Sequence, residues 1–167
     1  GARLLRRHGQ LRVRFKGGLQ YVFGRGLPGG VAALPAHGLL ALERIEDASG
    51  NYWRFERNDG HLVRIVESGV DGLQGRFIDV DTRQGRIERM ALHDPATGLV
   101  QPLLSYRYSG EGDLVAALDA LGAARTFAYQ QHRLVQHTDR VGLSFFFAFD
   151  AQVRVVHSGG DGGLYDY

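Results

Sequence analysis

Cysteine is absent from the chain, so neither a disulfide framework nor thiolate chemistry is available to it. Lys16 is the only lysine among 20 basic residues, which leaves little scope for Schiff-base chemistry and points to a GC-rich bacterial genome. Proline occurs four times, and no apolar run approaches the roughly 20 residues that a membrane-crossing helix needs. No secretory signal opens the sequence. It begins Gly1-Ala2-Arg3 without methionine, and an excised fragment is expected. The lack of disulfides favours a cytoplasmic origin and does not exclude later export of the folded protein.

Glycine, in contrast, is abundant: 24 of 167 residues, about twice its average share. With so little proline, that excess suits many tight turns better than a disordered linker. Net charge is only +2, but it is unevenly spread. Arg3, Arg6, Arg7, Arg12, Arg14 and Lys16 fall in the first sixteen residues with no acid among them. Arg12 and Arg14 alternate with Leu11, Val13 and Phe15, as on a half-buried strand with a solvated face. A basic arm also suits an acidic partner, acidic lipid or nucleic acid. Nucleic acid is not expected, because no comparable basic run follows.

The chain repeats. Gly122, Gly142 and Gly162 fall twenty residues apart, with Asp119 and Asp139 three positions before the first two. Phe127 and Phe147 come five positions after those glycines, and Tyr129 and Phe149 seven after. Upstream the same frame recovers Asp47, Gly50 and Phe55, then Gly72 with Phe77, while Leu62 and Leu134 sit twelve after Gly50 and Gly122. Each copy combines a polar Asp/Gly segment, an alternating apolar strand, a second turn and a second apolar strand. Phe127 with Tyr129, and Phe145 with Phe147 and Phe149, should share strand faces. Asn58-Asp59-Gly60, between two alternating runs, signals a hairpin. Val115 to Leu121 is read as strand rather than helix, being bracketed by Gly112 and Gly122. Leu92 to Gln101, carrying Asp94-Pro95-Ala96-Thr97-Gly98, is read as an insertion loop, and Leu27 to Gly38 as an irregular connection. No copy can bury its apolar face alone, so neighbours must stack into one sheet. The recurring aromatics, with Trp53, are read as packing columns of a core, which predicts blue-shifted Trp53 emission.

Catalytic and metal chemistry finds little support. His137 and His157 share a repeat position, but zinc wants a third ligand and no cluster is legible. Asp79 to Gln84 opens like a calcium loop, yet Arg83 and Gln84 stand where a ligand and glycine belong. Gly159 to Gly163 lacks the Lys-Ser/Thr of a phosphate loop. Glu111 and Asp113 are read as turn formers and His157-Ser158 as strand neighbours. No cofactor, no metal and no enzyme activity are expected.

Ser105-Tyr106-Arg107-Tyr108 followed by Gly110, Gly112, Asp113 and Leu114 resembles the strand-turn-strand unit of the rearrangement-hotspot (RHS) family of YD-repeat proteins. Phe127-Ala128-Tyr129, His132-Arg133-Leu134-Val135 and Thr138-Asp139-Arg140-Val141-Gly142 resemble the next unit, and Asp161 to Asp166 begins another. Tyr129-Gln130 and Tyr108-Ser109 depart from the family's Tyr-Asp pair. The resemblance implies an all-β fold of tandem antiparallel hairpins in a curved, spiralling sheet, part of an RHS-type shell. Residues 1–40 would supply opening strands and an irregular connection, and 41–167 the hairpin repeats. It further implies a structural role: a wall segment of a cocoon around a C-terminal toxin, delivered between bacteria or to insects by type VI secretion or toxin-complex machinery. Its partners would be the rest of the shell, the enclosed toxin and secretion proteins, with no membrane contact. A carbohydrate- or ligand-binding repeat module at the cell surface is the competing expectation. An isolated piece should self-associate through exposed strand edges.

Overall fold

The computed structural model describes residues 1–7, 10–24, 40–68, 74–164 and 166. Gly72 and the connection from Leu27 to Gly38 lie outside the described residues. The chain forms two compact units, Gly1–Gln101 and Pro102–Tyr167.

In the first unit, alternation of apolar and polar side chains produces a run of antiparallel strands, each paired to the one before it. They are β1 (Arg3–Arg7), β2 (Gln10–Arg14), β3 (Gln20–Gly24), β4 (Ala41–Glu46), β5 (Tyr52–Asn58), β6 (His61–Ser68), β7 (Gln74–Arg83) and β8 (Arg86–Asp94). Two kinds of turn join them. Asp59 (φ 48°) with Gly60 (φ 80°), and Gln84 (φ 50°) with Gly85 (φ 77°), make two-residue turns with both central residues at positive φ. Such turns match the right-handed twist of the flanking strands. The other kind is a five-residue loop, seen at Phe15–Leu19 and Asp47–Asn51. In each, the first amide bonds the fifth carbonyl, and a glycine at the fourth position bonds back to the first carbonyl.

The second unit continues the same pattern from β9 (Leu99–Tyr108) through β10 (Leu114–Asp119), β11 (Ala124–Gln130), β12 (Arg133–Thr138), β13 (Ser144–Phe149) and β14 (Val155–Gly160). Each is again antiparallel to its predecessor from β10 onward. Val115 to Leu121 is strand and turn, as the bracketing glycines demanded. β11 with β12, and β13 with β14, are the two clearest twenty-residue copies, each one hairpin. The all-β architecture of tandem hairpins therefore stands.

Two expectations need correction. The loop read from Leu92 to Gln101 contracts to the turn 95–98, closed by the Gly98 amide on the Asp94 carbonyl at 2.8 Å. Residues on either side belong to β8 and β9, because the alternating pattern continues up to Asp94 and resumes at Leu99. The aromatic columns, moreover, do not make a buried core. Among the described residues, the buried apolar side chains are Val22, Val80 and Ala116, and Trp53 is 54% exposed. A strand pair covers its own edges but not its faces. Trp53 emission from this chain should accordingly be that of a solvent-exposed indole.

Candidate functional site

Strand register sorts the first unit into two unlike faces. Val13, Tyr21, Ile45 and Trp53 are successive cross-strand partners, and so are Phe55, Ile65, Ile78 and Leu92. These rows make one apolar face. An open hollow of about 310 Å³ lies on it, lined by Trp53, Phe55, Ile65, Ile78 and Leu92 among others. Glu67 and Arg76 close its rim with a two-pronged ion pair at 3.0 and 3.1 Å. That pairing holds the Glu67 carboxyl below its ordinary pKa and raises Arg76 above its own.

The opposite face is charged. Arg44 pairs with Glu46, Arg54 with Glu56 and Arg64 with Asp79, at 3.2, 2.6 and 2.8 Å. The Arg64 guanidinium also lies 4.4 Å from the centre of the Phe77 ring, whose other neighbour is a stacked His93 at 4.8 Å. Asp79 clips this stack by reaching His93 Nε2 at 3.1 Å. The calcium-like run thus lies in β7 and its turn, with Asp79 engaged by Arg64 and His93, and Asp81 by Arg89.

In the second unit Phe127, His137 and Phe145 are register partners on β11, β12 and β13. Their rings stack at 6.1 and 5.3 Å. Phe147 shares this face with Phe145, two residues along the same strand. The other face carries a hydroxyl and amide cluster in which Thr138 and Ser144 lie 2.9 Å apart and Gln136 reaches both. His137 and His157 are not brought together. His157 pairs with Ala148, on the face opposite His137's stack, and lies 3.4 Å from Asp166. The reason is turn length. A two-residue turn joins β11 to β12, whereas the five-residue loop Asp150–Arg154 joins β13 to β14, and a slip of one residue changes faces.

The loops are the most regular chemistry present. Asp47, Asp119, Asp139 and Asp150 each place Oδ1 on the amides two and four residues ahead, at 2.8–3.0 Å. This bonding satisfies amides that the turn leaves unpaired. Gly50, Gly122 and Gly142 take the fourth loop position at φ of 89°, 83° and 91°. Two successive loops are also tied together, Arg140 donating to Asp119 at 2.9 Å, and the amide of Ser144, at the start of β13, donates to Asp161 in the turn after β14 at 2.8 Å. The repeat-frame residues Phe55, Leu62, Phe77, Tyr106, Tyr108, Leu114, Tyr129, Leu134 and Phe149 all lie on strands. Gly162 lies in a short 3-10 turn after β14.

All four loop aspartates are held below the ordinary carboxylate pKa. For Asp139 the leading cause is the amide of Leu143, for Asp150 the amide of Arg154, for Asp119 the Arg140 side chain and for Asp47 the Asn51 side chain. A folded pKa below the unfolded value contributes stability above the unfolded pKa and loses it as pH falls through the folded one. Melting temperature should therefore drop as pH is lowered through the carboxylate range. Asp139→Asn should show a lower melting temperature at neutral pH and a shallower acid decline, both readable by circular dichroism.

Sequence reasoning missed a contact between turns. His132 Nδ1 sits 2.9 and 3.0 Å from the two Asp113 oxygens, and Glu111 completes a group of three whose ligand-type atoms lie within 4.8 Å of one another. A signal existed: His132 (φ 62°) occupies the turn position that Gly60 and Gly85 hold in the sister turns. Asp113 raises the His132 pKa above its ordinary value. A raised folded pKa contributes stability below the unfolded pKa, and that stability is lost as pH rises through the folded pKa. Asp113→Asn should lower the His132 midpoint in an NMR titration. An unchanged midpoint would mean the contact is absent in solution.

No family model matches the chain. Among curated proteins it is 29% identical over 143 residues to double-stranded DNA deaminase toxin A of Burkholderia cenocepacia, covering 80% of this chain and 10% of that protein. It is 37% identical over 148 residues to toxin protein Tse5 of Pseudomonas aeruginosa, covering 84% of this chain and again 10% of the relative. The chain thus spans about a tenth of the length of these relatives. The crystal structure of TcdB2-TccC3 without its hypervariable C-terminal region aligns with a TM-score of 0.53 at 13% identity, over 92% of this chain and 8% of that one. At that identity the alignment shows a shared fold.

Proposed function

As this chain is an RHS-type (YD-repeat) relative of polymorphic toxins, we propose that it is a wall segment of a cocoon that encloses a C-terminal toxin and has no catalysis of its own. The observation that carries this reading is the uncovered apolar face of the first unit. A sheet side on which Trp53 is exposed and Phe55, Ile65, Ile78 and Leu92 are half-buried around an open hollow is suited to line a compartment rather than to stand alone in water. The toxin relatives and the fold shared with TcdB2-TccC3 support the same direction. On this reading the protein folds in the bacterial cytoplasm, holds its toxin from the producer, and is then exported by type VI secretion or toxin-complex machinery. Its partners are the rest of the shell and the enclosed toxin, and an isolated segment self-associates through open strand edges.

Limited proteolysis of the toxin-bearing protein that carries this segment tests the proposal. The toxin domain should resist protease until the wall is breached, and Ile65→Glu with Ile78→Glu should expose it. Equal cleavage rates for enclosed and free toxin domain would overturn the reading. The competing carbohydrate-binding reading rests on the half-exposed Trp53 beside a second open hollow of about 570 Å³ that Asp47 and Asn51 also line. A saturable emission shift with added oligosaccharide would favour it.

A further inference from the structure

The loop between β9 and β10 departs from its sisters at the positions that carry side-chain chemistry. Asp47, Asp119, Asp139 and Asp150 open four other five-residue loops and cap them, but Ser109 opens this one, its hydroxyl accepting from the Asp113 amide at 3.1 Å. The carboxylate of Asp113, at the fifth position, is therefore spared for other work. Glu111 adds a second carboxylate at the third position, where Ser49, Leu121, Val141 and Gln152 stand in the other loops. A further departure meets these two. In the turn between β11 and β12 the second residue is His132 at φ 62°, where Gly60 and Gly85 serve in the matching turns. A side chain is strained there, and strain of this kind gathers at functional sites. His132 Nδ1 lies 2.9 and 3.0 Å from the Asp113 oxygens, and ligand-type atoms of Glu111, Asp113 and His132 all fall within 4.8 Å of one another. Ligand atoms ~2.1 Å from a metal stand ~3.0 Å apart at a right angle and ~3.4 Å apart at a tetrahedral one. The His132–Asp113 spacing already has that size, and the exposed Glu111 side chain has a short gap to close.

We propose that Glu111, Asp113 and His132 form a three-ligand site for a divalent transition metal of the zinc class, which clips the β9–β10 loop to the β11–β12 turn. Two carboxylates facing one imidazole carry negative charge that a divalent cation neutralises, and the mixed donor set selects the metal. Imidazole nitrogen suits zinc and its first-row neighbours, whereas calcium and magnesium take oxygen ligands. Zinc replaces the proton of the His132–Asp113 hydrogen bond: the Nδ1 lone pair goes to the metal and the proton leaves to solvent. Three protein ligands leave a position open for water or a further side chain. The clip does for these turns what the Arg140–Asp119 pair does for the loops after β10 and β12. Every ligand comes from consecutive turns of the second unit, so the site does not depend on what flanks the chain.

The test titrates zinc chloride into the whole chain, first stripped of metal by a chelator, and follows the heat at neutral pH. One-to-one binding is expected, and equal concentrations of magnesium or calcium chloride should not displace it. His132→Gly removes the imidazole while suiting the backbone at that turn position, so it keeps the fold, as circular dichroism should confirm. It should bind zinc ~10-fold or more weakly. Glu111→Gln leaves the His132–Asp113 contact in place and should lose a similar factor, which separates a metal site from a simple ion pair. In protein carrying isotope-labelled histidine, the His132 ring nitrogens should shift before those of the remaining histidines as zinc is added. Zinc should raise the melting temperature of the parent chain and leave that of His132→Gly unmoved. Equal zinc binding by either variant, first shifts at another histidine, displacement by magnesium or calcium, or no saturable binding would each overturn the proposal and leave a histidine–aspartate contact only.

Discussion

Replacing Gly18 by alanine is expected to destabilise the first unit by about 3 kcal/mol, combining a left-handed backbone cost of about 1 kcal/mol with overpacking of about 2 kcal/mol. Gly18 sits at the fourth position of its loop with φ 89°, and a Cβ there would lie 2.7 Å from the Cβ of Ala48. Ala48 belongs to the next loop of the same kind, Asp47–Asn51, so the collision measures how closely successive loops lean together. Gly50 supplies the control. It has the same φ of 89° but nothing within 4 Å of its would-be Cβ. Gly50→Ala should show only the conformational part, about 1 kcal/mol. Urea denaturation of both variants separates the two contributions by subtraction. Equal losses would mean that the loops do not touch.

Val153→Gly is expected to stabilise the second unit by about 1 kcal/mol, and Gly142→Val to destabilise it by about 2 kcal/mol. Both residues occupy the fourth loop position. Val153 holds φ 64° and Gly142 holds φ 91°, the left-handed region where a β-branched side chain is strained. Relief of that strain exceeds the backbone entropy that glycine adds to the unfolded chain. Gly142 has open space around its would-be Cβ, so its substitution reports conformation alone. Opposite signs from chemically inverse substitutions at equivalent positions are what a common loop geometry requires, and thermal melts of the two variants read them directly.

Much of this architecture was written locally. The spacing of Asp119 to Gly122 and of Asp139 to Gly142 marks a loop because the carboxylate caps amides two and four residues on, while the glycine supplies positive φ. Asn58-Asp59-Gly60 gave its hairpin for the same kind of reason. Register was harder to read, because it depends on loop length and bulges rather than on side-chain identity. Both hairpins carry the same bulge, between Ala128 and Tyr129 and between Ala148 and Phe149, so it is the longer loop Asp150–Arg154 that puts His157 on the face away from His137, although both keep the twenty-residue beat. Periodicity also could not distinguish an aromatic column packed in a core from one on an uncovered sheet. Phe127 and Trp53 obey the same alternation whether or not a second layer covers them. The Arg64–Phe77–His93 stack and the His132–Asp113 contact depend on pairing between strands and turns, which a linear spacing does not display.

The arrangement of one hairpin after another, with equivalent side chains returning to one face, is tested most directly by cross-strand nuclear Overhauser contacts in the second unit. Contacts should link Phe127 to His137 and His137 to Phe145, with Thr126, Thr138 and Ser144 contiguous across the three strands. His157 should contact Ala148 and show none to His137. Contacts between residues three apart within 114–121, or a direct contact from His137 to His157, would contradict the account.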